Sequence, residues 1–158
     1  RENIESLKKY HGVFLKITDE SANLIDIVSE IKKINSKIEI FNSRVEITNI
    51  DKFSPSDKYL IFSGIGNSTS FKEILINNKF NIIEEKIFSD HHKYRDEDIN
   101  RILEISKKKN LKILTTEKDY VKIPNYFKNS INYIEINLKI DDEKKLLKFL
   151  NSKINETN

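Results

Sequence analysis

The second half of the chain alternates short apolar segments with helix-forming segments, and this alternation restricts the fold more than any other feature. Apolar runs at 59–63, 82–88 and 111–114 are separated by amphipathic segments at 69–77 and 96–108. Runs this short suit buried strands, while apolar residues three and four positions apart suit helices that cover a sheet. Strands that alternate with helices form βαβ units. We therefore predict an α/β fold with three layers, in which helices flank a mostly parallel sheet.

The rest of the chain carries the same two patterns on either side of this region. Residues 54–57 (Ser-Pro-Ser-Asp) are typical of a turn. We expect the strand before this turn to bend near Asn42 and Ser43, and Asp19 or Ser21 to cap the helix before that strand. The expected elements outside the alternation are a short helix at 3–9, strands at 13–17, 38–50 and 131–136, and helices at 22–34 and 142–154.

Composition limits the class of protein. The 158 residues, of which 37% are apolar, suit one domain of ordinary size. The net charge of +3 comes from 28 basic and 25 acidic residues spread along the chain, which does not favour a nucleic-acid-binding protein. The chain has no cysteine, which excludes disulfides, and no apolar run approaches the roughly 20 residues that span a bilayer. It begins with Arg1 rather than Met, and we expect it to be the later part of a longer protein.

Three loops carry the residues best suited to chemistry. Gly64, Asp90 and Thr115 each follow a predicted strand. Because parallel sheets place their sites outside the carboxyl ends of the strands, we expect these residues along one edge. Residues 64–67 (Gly-Ile-Gly-Asn) lead into a helix whose free N–H groups suit an anion. This loop lacks the third glycine of a dinucleotide site and the Gly-Lys-Ser/Thr of a P-loop, so a structural turn is favoured when the loop is taken alone.

Residues 90–94 (Asp-His-His-Lys-Tyr) join a predicted strand to a helix, and three interpretations stay open. Histidine can move a proton near neutral pH and a neighbouring carboxylate can fix its tautomer, which favours an acid–base or orienting role. A metal site is a second interpretation, in which Asp90 and His92 face one side and His91 the other, leaving too few convergent ligands in this loop alone. The third is a surface loop with solvated histidines.

Residues 115–119 (Thr-Thr-Glu-Lys-Asp) end the next predicted strand. Charged side chains at this edge of a parallel sheet favour a contribution to a site. The alternative is a short helical turn that a threonine hydroxyl caps, with Glu117, Lys118 and Asp119 in solvent. The residues alone leave both interpretations open.

In this order, the three loops resemble the C-terminal half of one family, the tetraacyldisaccharide 4'-kinases. The family pattern is a strand, Gly-Ile-Gly-Asn-Pro, a helix with a phenylalanine, Asp-His-His-x-Tyr, a helix, and Thr-Glu-Lys-Asp-x-Val-Lys. The chain offers Gly-Ile-Gly-Asn at 64–67, Phe71, Asp-His-His-Lys-Tyr at 90–94, and Thr-Glu-Lys-Asp-Tyr-Val-Lys at 116–122. Ser68 stands where the family usually has proline, and serine can cap the helix that follows.

The resemblance covers the chain in outline and is specific from Leu60 to Ile123. It implies transfer of the γ-phosphate of ATP to the 4'-hydroxyl of a tetraacyldisaccharide 1-phosphate in lipid A biosynthesis, with Mg²⁺ neutralising the phosphates. The family's P-loop and catalytic aspartate belong to an N-terminal half, which would hold ATP and Mg²⁺ and be the partner of this chain. The chain is then one α/β domain over 1–158, with a connecting, substrate-side region at 1–57 and a βαβ core at 58–158. The intact protein is expected in the cytoplasm or peripherally on the cytoplasmic face of the bacterial inner membrane.

The resemblance also implies roles for individual residues. His91, with Asp90 beside it, would orient the missing aspartate or share the proton of the sugar hydroxyl. Arg1 and Glu2 resemble the end of the family's Gly-Pro-Leu-Arg-Glu motif, and no metal ligand is expected in this half. The residues expected to bind substrate are Arg1, Glu2, Gly64, Gly66 and Asn67. The residues expected to support the site from behind are His92, Tyr94, Thr116, Glu117, Lys118 and Asp119.

Two other functions compete with this one. The DHH phosphoesterases also carry Asp-His-His, but they need further aspartate motifs ahead of it for a two-metal site. The upstream aspartates do not have that spacing; they are Asp19, Asp26, Asp51 and Asp57. The other alternative is a catalytically silent substrate-side domain or the product of a decayed gene.

Overall fold

The computed structural model of the chain describes residues 2–17 and 23–155. Its strands are β1 (Gly12–Lys16), β2 (Glu39–Ile47), β3 (Lys58–Ser63), β4 (Asn81–Ile87), β5 (Lys112–Thr116), β6 (Asn132–Ile134) and β7 (Ile136–Ile140). Its α-helices are α1 (Leu24–Ile34), α2 (Ser68–Asn77), α3 (Asp96–Lys109), α4 (Glu117–Tyr120) and α5 (Glu143–Asn155). Short 3-10 helices cover Ile4–Lys9, Ile50–Lys52 and Asn125–Ser130. Parallel sheets with helices beside them confirm the predicted α/β class.

The chain divides into two compact units. The first unit comprises residues 1–46 and 137–158, and the second comprises 47–136. The last strand and helix belong to the first unit because β7 pairs with β2, in a sheet of order β1-β2-β7. The division into two units therefore follows the pairing of the strands and not the order of the elements along the chain. The expected cap residues Asp19 and Ser21 lie outside the described residues.

The second unit is built on a four-stranded sheet of order β4-β3-β5-β6, in which all pairs are parallel. Its central strand β3 is covered on both sides, since every residue from Tyr59 to Ser63 is buried. The register places Ser63 beside Ile87 of β4 and Phe62 beside Thr115 of β5. The carboxyl ends of these three strands therefore lie next to one another.

Alternate residues of β3 supply two apolar clusters. Leu60 and Phe62 pack with residues of α3 that include Ile99 and Ile102. The other cluster contains Tyr59 and Ile61 of β3, with Phe71 and Leu75 of α2. Burying one such side chain fully stabilises a fold by about 1.5–3 kcal/mol. These contacts hold both helices, and hence the loops that lead into them, in fixed positions.

The first unit has a much smaller apolar core. Its buried hydrophobic side chains among the described residues are Ile31, Ile38 and Phe41. Ring contacts join Phe41 to Phe14 of β1 and to Phe149 of α5, with centroid separations of 5.7 and 5.3 Å. Phe14 itself nevertheless stays 51% exposed.

Two strands differ from expectation. β2 runs without a break through Asn42 and Ser43, because Ser43 is buried in the sheet. The strand ends at Ile47, and the next backbone amide, that of Thr48, donates to Glu135 O. The strand expected at 131–136 is two strands, β6 and β7, which pair in different sheets. The alternation Ile136, Leu138, Ile140 is the sequence signal for β7.

Candidate functional site

Three loops meet at the carboxyl edge of the sheet in the second unit. The amide of Phe88 donates to Ser63 O at 2.8 Å, and the amide of His91 donates to Gly64 O at 3.2 Å. Thr115 at the end of β5 is fully buried, with its hydroxyl donating to Phe62 O at 2.8 Å. Gly64 and Asp90 follow β3 and β4 at this edge, as expected, whereas Thr115 is the second-last residue of β5 itself.

The buried carboxylate of Asp119 is hydrogen-bonded to the start of the glycine loop. Oδ2 of Asp119 accepts from the Gly64 amide at 2.9 Å and from the Thr116 hydroxyl at 2.9 Å. Its Oδ1 accepts from Lys122 Nζ at 2.9 Å, and its side chain has no exposed surface. The Thr116 hydroxyl in turn accepts from the Asp119 amide at 3.1 Å and so caps α4. The short capped helix is therefore present, but Asp119 is buried and only Glu117 and Lys118 are exposed.

Burial of Asp119 alone would raise its pKa, since a charge is disfavoured in an apolar interior. Hydrogen bonds from the Gly64 amide, from Lys122 and from Thr116, and the positive charge of Lys122, act in the opposite direction and prevail. The pKa of Asp119 is therefore lowered, and the group is a carboxylate at neutral pH.

His91 has an unusual backbone and an exposed ring. Its φ is 59°, which is left-handed and costs a residue with a Cβ about 1–2 kcal/mol. The other non-glycine residues with positive φ in the described part are Lys79 and Asn110, which follow the ends of helices, where this conformation is ordinary. His91 ends no helix. Its amide donates to both Gly64 O and Asp90 Oδ1, the latter at 2.9 Å.

The side chain of His91 is 75% exposed, and its Nε2 lies 3.7 Å from Asp90 Oδ2. An imidazole held beside a carboxylate but open to solvent can contact a group that another molecule or another part of the protein brings. Backbone strain at a residue of this kind is common at functional sites.

His92 has the opposite environment. Its Nε2 lies 2.9 Å from Asp98 Oδ2, and its ring packs on Phe88 with a centroid separation of 4.6 Å. The alternation of an extended chain predicts that Asp90 and His92 face the same side. The structure differs, because His92 is turned towards Asp98 and Phe88. The left-handed φ of His91 breaks that alternation and leaves Asp90 with His91 instead.

Tyr94 fills the space below the glycine loop. Its ring packs edge-on against Phe62 and Phe88, and its hydroxyl is the buried side-chain polar atom for which the described residues offer no hydrogen-bond partner. Burial, and then the charge of Asp119, raise the pKa of Tyr94, so this hydroxyl is neutral.

The two glycines of the loop are needed for close approach, since neither has a positive φ. A Cβ on Gly64 would lie 3.0 Å from the Tyr94 hydroxyl and 3.1 Å from His92 Cβ. A Cβ on Gly66 would lie 3.1 Å from Asp90 Oδ2. The Gly64 amide is already bonded to Asp119, and a second carboxylate borders Gly66, so a phosphate group does not fit this loop.

Asn67 ends the loop and caps α2. Its side chain accepts from the Ser70 amide at 3.1 Å. The cap expected at Ser68 is thus supplied by Asn67, and Ser68 is the first residue of the helix.

The remaining predicted residues lie elsewhere or are not described. Arg1 lies outside the described residues. Glu2 belongs to the first unit, where it is exposed and accepts a hydrogen bond from the Tyr10 hydroxyl at 3.0 Å. Over residues 2–17 and 23–155, no three histidine, aspartate or glutamate side chains are grouped so that they could hold a metal ion. Within the same ranges, no helix combines the length and the apolar character needed to cross a bilayer.

The fold and the three loops define an α/β protein with a histidine-bearing site at the carboxyl edge of a parallel sheet, and comparison with known proteins identifies the family. The family model described as LpxK, tetraacyldisaccharide-1-P 4'-kinase, matches residues 1–155. The chain therefore belongs to this family, as the three motifs predict.

Individual relatives agree. The chain is 45% identical over 158 residues to the tetraacyldisaccharide 4'-kinase of Pelagibacter ubique, covering 100% of this chain and 49% of the relative. It is 39% identical over 94 residues to the enzyme of the same name from Rickettsia typhi, covering 60% of this chain and 28% of the relative. The chain thus spans about half the length of the first of these relatives, and less of the second.

A solved structure shares the fold. The crystal structure of LpxK from Aquifex aeolicus in complex with ATP aligns with a TM-score of 0.58 at 18% sequence identity. The alignment covers 96% of this chain and 45% of that one.

Proposed function

We propose that this chain is the C-terminal part of a kinase that transfers the γ-phosphate of ATP to the 4'-hydroxyl of tetraacyldisaccharide 1-phosphate, a step of lipid A biosynthesis. The observation that carries the proposal is the match of the family model to residues 1–155. The relatives that bear this enzyme name extend the support, since one of them aligns with the whole chain.

Within this function, His91 is the catalytic residue of the chain. Its exposed imidazole lies at the carboxyl edge of the sheet with Asp90 beside it. It would meet an aspartate from the N-terminal half and orient it, or share the proton that leaves the sugar hydroxyl. The half-buried ring of His92 cannot take this role without leaving Asp98 and Phe88.

The other residues fall into two groups. The residues proposed to bind substrate are Arg1, Glu2, Gly64, Gly66 and Asn67; Gly66 and Asn67 are exposed, whereas Gly64 is buried. The residues proposed to support the site without contacting substrate are His92, Tyr94, Thr116, Glu117, Lys118 and Asp119. Because the Gly64 amide and the Asn67 side chain already have partners within the protein, the glycine loop contributes through its shape.

ATP and Mg²⁺ belong to the N-terminal half in this proposal. The chain has no Gly-x-x-x-x-Gly-Lys-Ser/Thr segment, and two carboxylates border its glycine loop. When bound, Mg²⁺ would neutralise charge on the transferring phosphate.

We propose that the P-loop half is the partner of this chain, and that the intact protein binds the cytoplasmic face of the inner membrane peripherally because its substrate is a lipid.

Two kinase assays test the proposal. The 158-residue chain alone should show no Mg²⁺-dependent transfer, whereas the full-length protein should phosphorylate the lipid disaccharide. In the full-length protein, His91→Ala should lower kcat by about 10²–10⁴-fold, the usual contribution of a general acid or base, and leave the KM for ATP nearly unchanged. Wild-type turnover in His91→Ala would overturn the role of His91. A full-length protein without transfer activity would favour the silent or decayed alternative.

A further inference from the structure

A buried carboxylate that follows the next strand, β5, is linked to His91 through the backbone of Gly64. We propose that Asp119 is a positioning residue: its carboxylate fixes Gly64, and Gly64 holds His91 in its left-handed conformation with the imidazole exposed. The inference rests on the proposed function, because it concerns how His91 is presented for phosphoryl transfer.

The contacts form an unbroken chain within the second unit. Asp119 Oδ2 accepts from the Gly64 amide at 2.9 Å, and the carbonyl oxygen of the same glycine accepts from the His91 amide at 3.2 Å. One residue with both backbone polar groups engaged thus links the carboxylate to the histidine. A shift of Gly64 would be passed directly to the His91 backbone.

Asp119 is itself held firmly enough to serve as an anchor. Both of its oxygens are bonded, Oδ2 also to the Thr116 hydroxyl and Oδ1 to Lys122 Nζ. The side chain is completely buried, and hydrogen bonds to a charged group are strong in such surroundings. Close packing of Gly64 against Tyr94 and His92 leaves the glycine little room to move.

His91 needs such an anchor because its conformation is not one that the residue adopts readily. Of the two acceptors of its amide, Asp90 Oδ1 is a local one that moves with the loop, whereas Gly64 O belongs to a different strand end. Among the hydrogen bonds of the described residues, the bond to Gly64 is the one that ties the His91 amide to the end of β3. Without it, the loop could relax to the extended backbone that histidine prefers.

A purely structural role for Asp119 is the competing explanation, since the residue also lies in capped helix α4 and pairs with Lys122. The two explanations differ in what a substitution does to catalysis in a folded protein. A misplaced catalytic group can lower turnover by about a hundredfold for a shift of 1 Å, whereas a loss of stability alone does not change kcat of the molecules that remain folded.

The test uses the full-length protein and the variant Asp119→Asn, which keeps the size of the side chain but removes its charge and one acceptor oxygen. We expect kcat to fall at least about tenfold with little change in the KM for ATP. The matched control is Asp57→Asn at the opposite edge of the sheet, where the carboxylate accepts from Lys112 at 2.7 Å and has no contact with the three loops. The control should keep wild-type kcat.

A double variant shows whether Asp119 affects kcat through His91 or independently of it. If Asp119 acts through His91, then Asp119→Asn should cause no further loss of kcat in a His91→Ala background, because the group being positioned is gone. Losses that multiply, or wild-type kcat in Asp119→Asn alone, would overturn the inference. Should Asp119→Asn fail to fold, Thr116→Val replaces it, since it removes one donor to Oδ2; the same comparisons apply, with a smaller loss of kcat.

Hydrogen exchange supplies a readout that does not depend on activity. In full-length Asp119→Asn, the amides of Gly64 and His91 should exchange at least about tenfold faster than in the wild type, while amides in the core of β3 stay protected. If the wild-type protein transfers no phosphate, the proposed function fails, yet faster exchange at these two amides would still support the link from Asp119 to His91. Unchanged exchange at both would refute the link itself.

Discussion

Replacement of Gly64 by alanine tests whether the glycine loop is a close-packed support for the histidine loop. The added Cβ would lie 3.0 Å from the Tyr94 hydroxyl, 3.1 Å from His92 Cβ and 3.2 Å from Ser89 O. These separations are well below the roughly 3.5–4.0 Å at which non-bonded carbon atoms attract one another. Gly64 has no positive φ, so steric overlap is the main cost of the substitution.

The neighbours of Gly64 cannot yield cheaply. The Tyr94 ring is fixed between Phe62 and Phe88, and Ser89 O is backbone. Overpacking of this kind destabilises a protein by about 1–3 kcal/mol. For a chain of this length, such a loss lowers the melting temperature by roughly 2–4 °C for each kcal/mol. We therefore expect Gly64→Ala to lower it by about 2–12 °C, by combining those two ranges.

Thermal unfolding followed by tyrosine fluorescence provides the assay. The chain has 6 tyrosines and no tryptophan, and all tyrosines except Tyr10 belong to the second unit, so the signal reports mainly on that unit. The matched control is Gly66→Ala, whose Cβ would meet only the side chain of Asp90, a 47% exposed carboxylate that needs to shift by a few tenths of an ångström. If Gly64→Ala is no less stable than Gly66→Ala, the loop is not close-packed as described.

Three further predictions concern buried polar groups of the second unit. Because the folded state lowers the pKa of Asp119, its contribution to stability is complete above the unfolded pKa of about 3.9 and is lost as the pH falls through the lower folded value. The urea midpoint below pH 4 should therefore depend less on pH in Asp119→Asn than in the wild type. Equal pH dependence of the midpoint in the two proteins would contradict this. Tyr94→Phe should leave the free energy of unfolding unchanged or raise it by up to about 1 kcal/mol, because the lost hydroxyl has no partner; a loss above about 1 kcal/mol would show a bond that the structure lacks. Burial and the charge of Asp57 raise the pKa of Tyr59 to about 12. The stability that this group contributes is therefore complete below pH 10 and is lost between about pH 10 and 12. In Tyr59→Phe the urea midpoint should fall less steeply over this pH range than in the wild type, and an equal fall would refute the assignment.

The alternation of apolar runs and amphipathic segments predicted β3 to β5 and the helices α2 and α3, since each of these elements is defined by residues close together in the chain. Because parallel strands end at a common edge, it also predicted that the loops carrying Gly64 and Asp90 lie along one edge, where the His91 amide donates to Gly64 O. Local pattern could not predict the division into two units. That division depends on the pairing of β2 with β7, between segments almost a hundred residues apart.

Sequence determined which residues could act, because the order of the three motifs and the chemistry of histidine are properties of the chain alone. Tertiary structure decided which of the paired histidines faces solvent, since this depends on the positive φ of His91 and on the contacts of His92 with Phe88 and Asp98. It also decided that Asp119 is buried. A charged residue in a polar segment is expected in solvent. The donors that folding brings to Asp119 make its burial favourable; they are the Gly64 amide, the Thr116 hydroxyl and the Lys122 ammonium.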